Sequence, residues 1–230
     1  MRYLLILACL VLISGCGPRF VVTVDSISGS QLPNEKTYVL LPMIEGVTVD
    51  DLQFQEYAGY VEKALSQQNY RMVTDFEKAR YAILLNYGIG DPQESTYSYS
   101  LPVYGQRGGG TSNFSASTYG AGGYSNTYGT ISSTPTYGVV GSQGYTGRTV
   151  SYFRYLVIEG VDLELYRKNR KTKQLWKTTV TSSGSSGDLR RVFPILATAS
   201  IPYLGTNTGK QIRIQMYESN KLLKEIKGVE

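Results

Sequence analysis

The chain has 230 residues, no histidine, 23 Lys plus Arg against 18 Asp plus Glu, and a formal net charge of +5. Without histidine there is no Ser-His-Asp or Cys-His catalytic arrangement, and the commonest neutral-pH base and metal ligand are both missing, so no catalytic residue, metal site or cofactor is expected. The small positive excess is spread along the chain and reads as solubility, or as attraction to anionic lipid headgroups or cell-wall polymers.

The first residues give an address. Arg2 precedes an apolar run over residues 4–13, which ends in Ile13-Ser14-Gly15-Cys16. A cationic start, a short apolar run and two small residues before a cysteine predict a bacterial lipoprotein signal over residues 1–15. Cleavage is expected between Gly15 and Cys16, with lipid on the Cys16 sulfur. The run is too short to span comfortably, since a bilayer core needs roughly 20 apolar residues. Cys9 falls in the discarded part, which leaves Cys16 as the one mature cysteine. Once it is acylated, no disulfide, zinc cluster or thiol nucleophile remains. Each buried CH₂ of an acyl chain contributes about 0.8 kcal/mol, so several chains hold the protein on a leaflet without crossing it. Gly17 stands where enteric-type lipoproteins with an inner-membrane retention signal carry Asp. That likeness favours the outer membrane, on its periplasmic face.

Residues 16–35 read as anchor and tether, in which the alternating Phe20-Val21-Val22-Thr23-Val24 predicts a short strand before a Ser/Gly-rich tether or turn. A single α/β domain is expected over 36–230, interrupted by an insert at 91–150. Its first strand is the apolar Thr37-Tyr38-Val39-Leu40-Leu41-Pro42-Met43, covered on one face or both. Asp50 or Asp51 then caps a helix on which Phe54, Tyr57, Ala58, Val61, Ala64 and Leu65 recur at helical spacing. This paired acid reads as capping, not acid/base chemistry. Short strands follow at 70–73 and 81–87.

The insert is low in complexity. Between Ser95 and Ser151 its only charges are Arg107 and Arg148, and Thr-Tyr-Gly recurs every nine residues around Tyr119, Tyr128 and Tyr137. The repeats lack aliphatic residues for a stacked core, so a flexible loop is expected. Spaced tyrosines suit contact with sugars, aromatic side chains or one another, because each ring offers apolar area plus one hydroxyl.

Beyond the insert, alternation from 152 to 166 predicts a strand with a bulge or bend at Gly160, and 175–181 predicts its partner. Between them Arg167, Lys168, Arg170 and Lys171 make a cationic hairpin tip, a candidate partner contact along with the three tyrosines. Trp176 is expected to pack on the sheet or against a helix. Asp188 caps a second helix that contains Pro194, where a kink or late start is expected. A last strand covers Ile212, Ile214 and Met216, and residues 221–230 read as a charged tail. Gly105-Gln106-Arg107-Gly108-Gly109-Gly110 and Thr208-Gly209-Lys210 lack the context of a nucleotide cradle, and an exported chain argues against nucleic acid.

The order of these features resembles the bacterial lipoprotein family known as domain of unknown function 4136. The likeness rests on the signal, Lys36-Thr37-Tyr38, Asn69-Tyr70-Arg71, the Tyr/Gly-rich insert, Val161-Asp162-Leu163 and Lys173-Gln174-Leu175-Trp176. It implies an envelope lipoprotein without established catalysis. The fold expected is a two-layer α/β (α+β) sandwich, with a mixed, mainly antiparallel sheet and two helices on one face.

Three functions are compatible with this reading. The first is a non-enzymatic accessory module that presents the Tyr/Gly-rich loop to an envelope protein or cell-wall polymer. The second is an adhesive matrix component that self-associates through the insert. The third, an enzyme acting on envelope polymers through carboxylates, needs two acids converging in a cleft.

Overall fold

The computed structural model describes residues 19–120 and 122–228. Gly15, Cys16 and the signal therefore lie outside the described residues. The chain divides into two compact units, residues 94–149 and the remainder. The remainder is a mixed α/β unit.

Its sheet runs β10-β1-β9-β8-β4-β2-β3. β2 (Thr37–Pro42) lies parallel to both β4 (Tyr81–Ile89) and β3 (Arg71–Met72), with helix α1 (Leu52–Ser66) in the connection. All other pairings are antiparallel: β4 with β8 (Thr136–Asp162), β8 with β9 (Gln174–Gly184), β9 with β1 (Arg19–Ser28) and β1 with β10 (Ile212–Tyr217). β1 is thus an interior strand. Residues 19–28 extend the short strand expected at 20–24 and belong to the sheet, because Val22, Val24 and Ser26 alternate into its core side.

Two apolar clusters hold the unit together. The larger joins α1 (Phe54, Tyr57, Val61, Leu65), helix α3 (Leu189–Ser200) and helix α4 (Lys221–Lys227) to Tyr38, Ile83, Leu85, Leu156, Ile158 and Val180 of the sheet. Tyr57 stacks on Phe193 with ring centroids 4.1 Å apart, and Tyr87 meets both rings edge-on. The smaller cluster takes the alternate residues of the same strands, Val39 and Ala82, together with Leu163 of helix α2 (Leu163–Asn169). Because side chains alternate across a strand, β2 and β4 are apolar on both faces.

Four helices stand among the described residues, where two on one face are expected from sequence. The first addition is α2, which replaces the end of the expected hairpin. Asp162 accepts a hydrogen bond from the Leu165 amide at 2.9 Å and caps the helix, Leu163 is buried, and Arg170 closes it at φ 57°. The apolar alternation of Val161, Leu163 and Leu165 imitates a strand, but the cap and the burial of Leu163 decide for helix. The second addition is α4, in place of a charged tail. Asn220 caps Leu222 and Leu223, Leu223 and Ile226 are buried, and the Lys63 ammonium donates to the Ile226 carbonyl at 2.9 Å.

α3 continues through Pro194 without interruption, and the Thr198 hydroxyl donates to the Pro194 carbonyl at 2.7 Å. Every residue from Val192 to Ser200 is buried, so packing outweighs the lost backbone hydrogen bond. At Gly160 the β8–β9 register shifts, and the Trp176 indole lies against the glycine where no Cβ fits.

Residues 94–149, where a flexible loop is expected from composition, form strands. The elements are most of β5 (Gln93–Arg107), β6 (Gly110–Gly120), β7 (Gly123–Ser133) and the first part of β8. β5 pairs with β8, while β6 and β7 form a two-stranded antiparallel sheet from Gly110↔Ser133 to Gly120↔Gly123. The pattern is local. Tyr and Thr favour extended backbone, and cross-strand aromatics cover glycines: Phe114 lies over Gly129 and Tyr97 over Gly147.

Candidate functional site

The three repeat tyrosines lie on different strands. Tyr119 is on β6, Tyr128 on β7 and Tyr137 on β8, and they are 86%, 76% and 77% exposed. In the β6–β7 register Tyr128 faces Ser115 and Tyr119 faces Tyr124, so Tyr119, Tyr124 and Tyr128 share one face of the ribbon. The Tyr124 hydroxyl donates to Ser117 at 3.2 Å, whose own hydroxyl donates to Asn126 at 2.6 Å. A second aromatic group lies on β5 and β8. There Tyr99 stacks between Tyr97 and Tyr145, at centroid distances of 6.2 and 5.5 Å. The nine-residue repeat gives no hint of this stack, because Tyr97 and Tyr99 stand outside it. Their i, i+2 spacing, which puts both on one strand face, is the signal that finds them.

The four cations of the expected hairpin tip are mostly engaged within the protein. Arg167 donates to the carbonyls of Phe76 and Ala79 at 2.7 and 3.0 Å and so holds the 3₁₀ turn at residues 76–78. Lys168 pairs with Glu164 one helical turn back, at 2.5 Å. The Arg170 guanidinium lies over the Tyr166 ring at 5.5 Å. Lys171 is exposed just beyond the helix. These residues therefore organise α2 and its surroundings and do not form one free basic patch.

Beneath α2 lies an apolar groove that sequence reading misses. It has a volume of about 490 Å³ and is floored by Leu41, Ala82, Leu84 and Val161, with Leu163 and Tyr166 along one side. These are the alternate positions of strands whose other faces build the main core, so apolar runs covered on both sides were the available signal. Glu159 is the groove's one carboxylate. It is buried, ion-paired with Lys177 at 3.0 Å and hydrogen-bonded by the Gln174 amide at 2.7 Å.

Nearby, Arg80 grips Asp162 through both guanidinium nitrogens and reaches Glu164 at 3.4 Å. Burial pushes the Asp162 carboxyl up, but the Arg80 hydrogen bonds and the Leu165 amide outweigh it and hold the group below its ordinary range. The Asp162 hydrogen bonds and the nearby Glu164 charge raise Arg80 against the opposing effect of burial. In the core, burial drives Tyr81 and Tyr87 up to about 12. Both phenols stay protonated at neutral pH, and the Tyr81 hydroxyl donates to the Pro33 carbonyl at 3.1 Å.

No family model matches the chain. No curated protein matches it either. Among solved structures, a PDZ domain protein from Parabacteroides distasonis is similar at 13% identity and a TM-score of 0.38, over 90% of this chain. The chain spans 41% of the length of that protein.

Proposed function

We propose that the chain is a lipid-anchored envelope lipoprotein that works by binding, with the Tyr/Gly-rich ribbon of residues 94–149 as its contact surface. In this reading Cys16 carries the lipid, and the α/β unit, a sandwich whose main helical layer is α1, α3 and α4, is the folded body at the outer membrane's periplasmic face. The observation that carries the reading is the exposure of the ribbon on both faces. A two-stranded ribbon in water is marginal by itself, and this one displays Tyr119, Tyr124 and Tyr128 on a single face with almost no charge. Rigid aromatic area of that kind suits an envelope protein or a glycan polymer. The resemblance in feature order to the envelope lipoproteins named above supports the same address.

A second reading is self-association. β6 and β7 pair only with each other in their sheet, so each leaves an outer edge free to accept a further strand. In-cell crosslinking of the intact chain against a deletion of residues 94–149 separates the two. Loss of one specific captured protein supports the accessory role, loss of homomultimers supports the matrix role, and an unchanged pattern removes the ribbon from the function. Fatty acid label that persists on Cys16→Ser would overturn the anchor.

A further inference from the structure

We propose that a small pocket at the start of β1, between Arg19, Arg154, Arg191 and the 183–186 segment at the end of β9, binds a phosphate group. The pocket encloses about 210 Å³ and is lined by those three arginines with Phe20, Ser183, Ser185 and Ser186. That volume is below the roughly 300–1,000 Å³ of sites for larger organic ligands and suits a compact anion.

Arg154 is the central observation. It is 1% exposed, and no carboxylate among the described residues pairs with it. Buried guanidinium groups normally meet an acid or a full set of acceptors, because an uncompensated buried charge is costly. Here Nη1 donates to the carbonyls of Tyr152, Gly184 and Ser186 at 3.0, 2.8 and 3.3 Å, and Nη2 reaches only the Ser182 hydroxyl at 3.4 Å. Nε is buried with no acceptor at all. Nη2 carries two hydrogens, so the fork is left with donors to spare. An acceptor-only tetrahedral anion is the ligand chemistry that uses such a fork.

The surroundings agree. Gly184 packs against the guanidinium, where a Cβ would sit 3.2 Å from Nη2, so the end of β9 approaches the charge closely. The Ser186 hydroxyl oxygen accepts from the Asp188 amide at 3.3 Å, which leaves its hydrogen free to donate. Arg191 is held to Glu218 at 3.2 Å on the rim, and Arg19 is exposed beside it. Three cations line the pocket, against two nearby carboxylates, Glu218 on Arg191 and Asp188 at the α3 cap, so it stays positive. Arg19 is three positions after Cys16, a reach of at most about 11 Å, so a phospholipid headgroup is one source of the phosphate and free phosphate the other. Only the headgroup source rests on the lipid-anchor reading.

The test is calorimetric titration of the purified full chain in nonionic detergent with inorganic phosphate and, separately, with dihexanoyl phosphatidylglycerol. Dihexanoylglycerol, which lacks the phosphate, is the blank. Saturable 1:1 binding of either phosphate probe but not the blank is expected. Binding of inorganic phosphate identifies a general phosphate site, and binding of the lipid alone identifies a headgroup site. The surface double variant Arg19→Gln/Arg191→Gln should weaken binding by about tenfold or more, as expected for charge-assisted hydrogen bonds, at an unchanged melting temperature. Glu218→Gln, which frees Arg191, should tighten it. Failure of both probes to bind, or equal affinity in the double variant, overturns the proposal. Loss of Cys16 lipidation would leave the inorganic phosphate result untouched, so the two readings fail separately.

Discussion

In the α/β unit, alternate residues of the central strands reach apolar clusters and are buried there. In residues 94–149 the same backbone conformation is kept with hardly a buried side chain. Both regions contain strands and many tyrosines, so tyrosine content and strand propensity do not separate them. What separates them is the aliphatic residue between the aromatics. Tyr38, Tyr57, Tyr70 and Tyr81 pack among Val, Ile and Leu and become structural, whereas Tyr119, Tyr128 and Tyr137 stand among Gly, Ser and Thr and stay available. Folding free energy in the first region comes from burial. In the second it is limited to backbone pairing and a few cross-strand aromatic contacts.

Substitution at the centre of the core is the strongest way to stress that difference. Phe193→Ala, which removes the ring stacked on Tyr57, should cost about 3–5 kcal/mol by chemical denaturation. A cost below about 1 kcal/mol would mean that α3 does not anchor the unit.

The Arg80–Asp162 pair comes next. Asp162→Asn removes both the ion pair and the charge on the α2 cap, for a loss of about 2–3 kcal/mol, somewhat below the roughly 3–5 of a fully buried pair. Because the folded carboxyl is held below its unfolded value, its contribution is complete above about pH 4 and is lost as pH falls through the folded value. Stability of the wild-type chain followed from pH 6 to pH 2 should therefore drop more steeply than that of the variant. Parallel curves would show that the pair adds nothing.

Asn220→Ala tests whether α4 belongs to the folded unit. Loss of its two capping bonds should cost about 1 kcal/mol and raise hydrogen exchange at Leu222 and Leu223, whereas a frayed tail would show neither effect. The smallest effect is expected on the ribbon. Tyr128→Ala should change stability by less than about 0.5 kcal/mol, as exposed substitutions do, while reducing partner capture in crosslinking. A large stability loss there would mean that the ribbon tyrosines are structural after all.

Much of the α/β unit is legible in the chain. Asp51 before Phe54, Tyr57 and Val61 fits α1, Asp188 fits the start of α3, and the β2, β4 and β9 positions follow from apolar runs and alternation. The misses share a cause. In α2 a three-residue alternation fits strand and helix equally, and the Asp162 cap with the burial of Leu163 against Val39 and Ala82 decided for helix. In α4 only three of seven residues are apolar, and helix was settled by the burial of Leu223 and Ile226 against the larger core.

The candidate sites divide in the same way. Exposure of the repeat tyrosines is readable because nothing around them is able to cover them. The apolar groove and the Arg154 pocket are not, since each is assembled from strands and loops distant in sequence. By itself, the order of residues determined the periodicities, the caps and the absence of histidine chemistry, all of which are properties of neighbours along the chain. Only the tertiary structure decided which apolar face met a partner, which cations were already paired and where a guanidinium was left with spare donors, because burial and charge compensation depend on what lies across space.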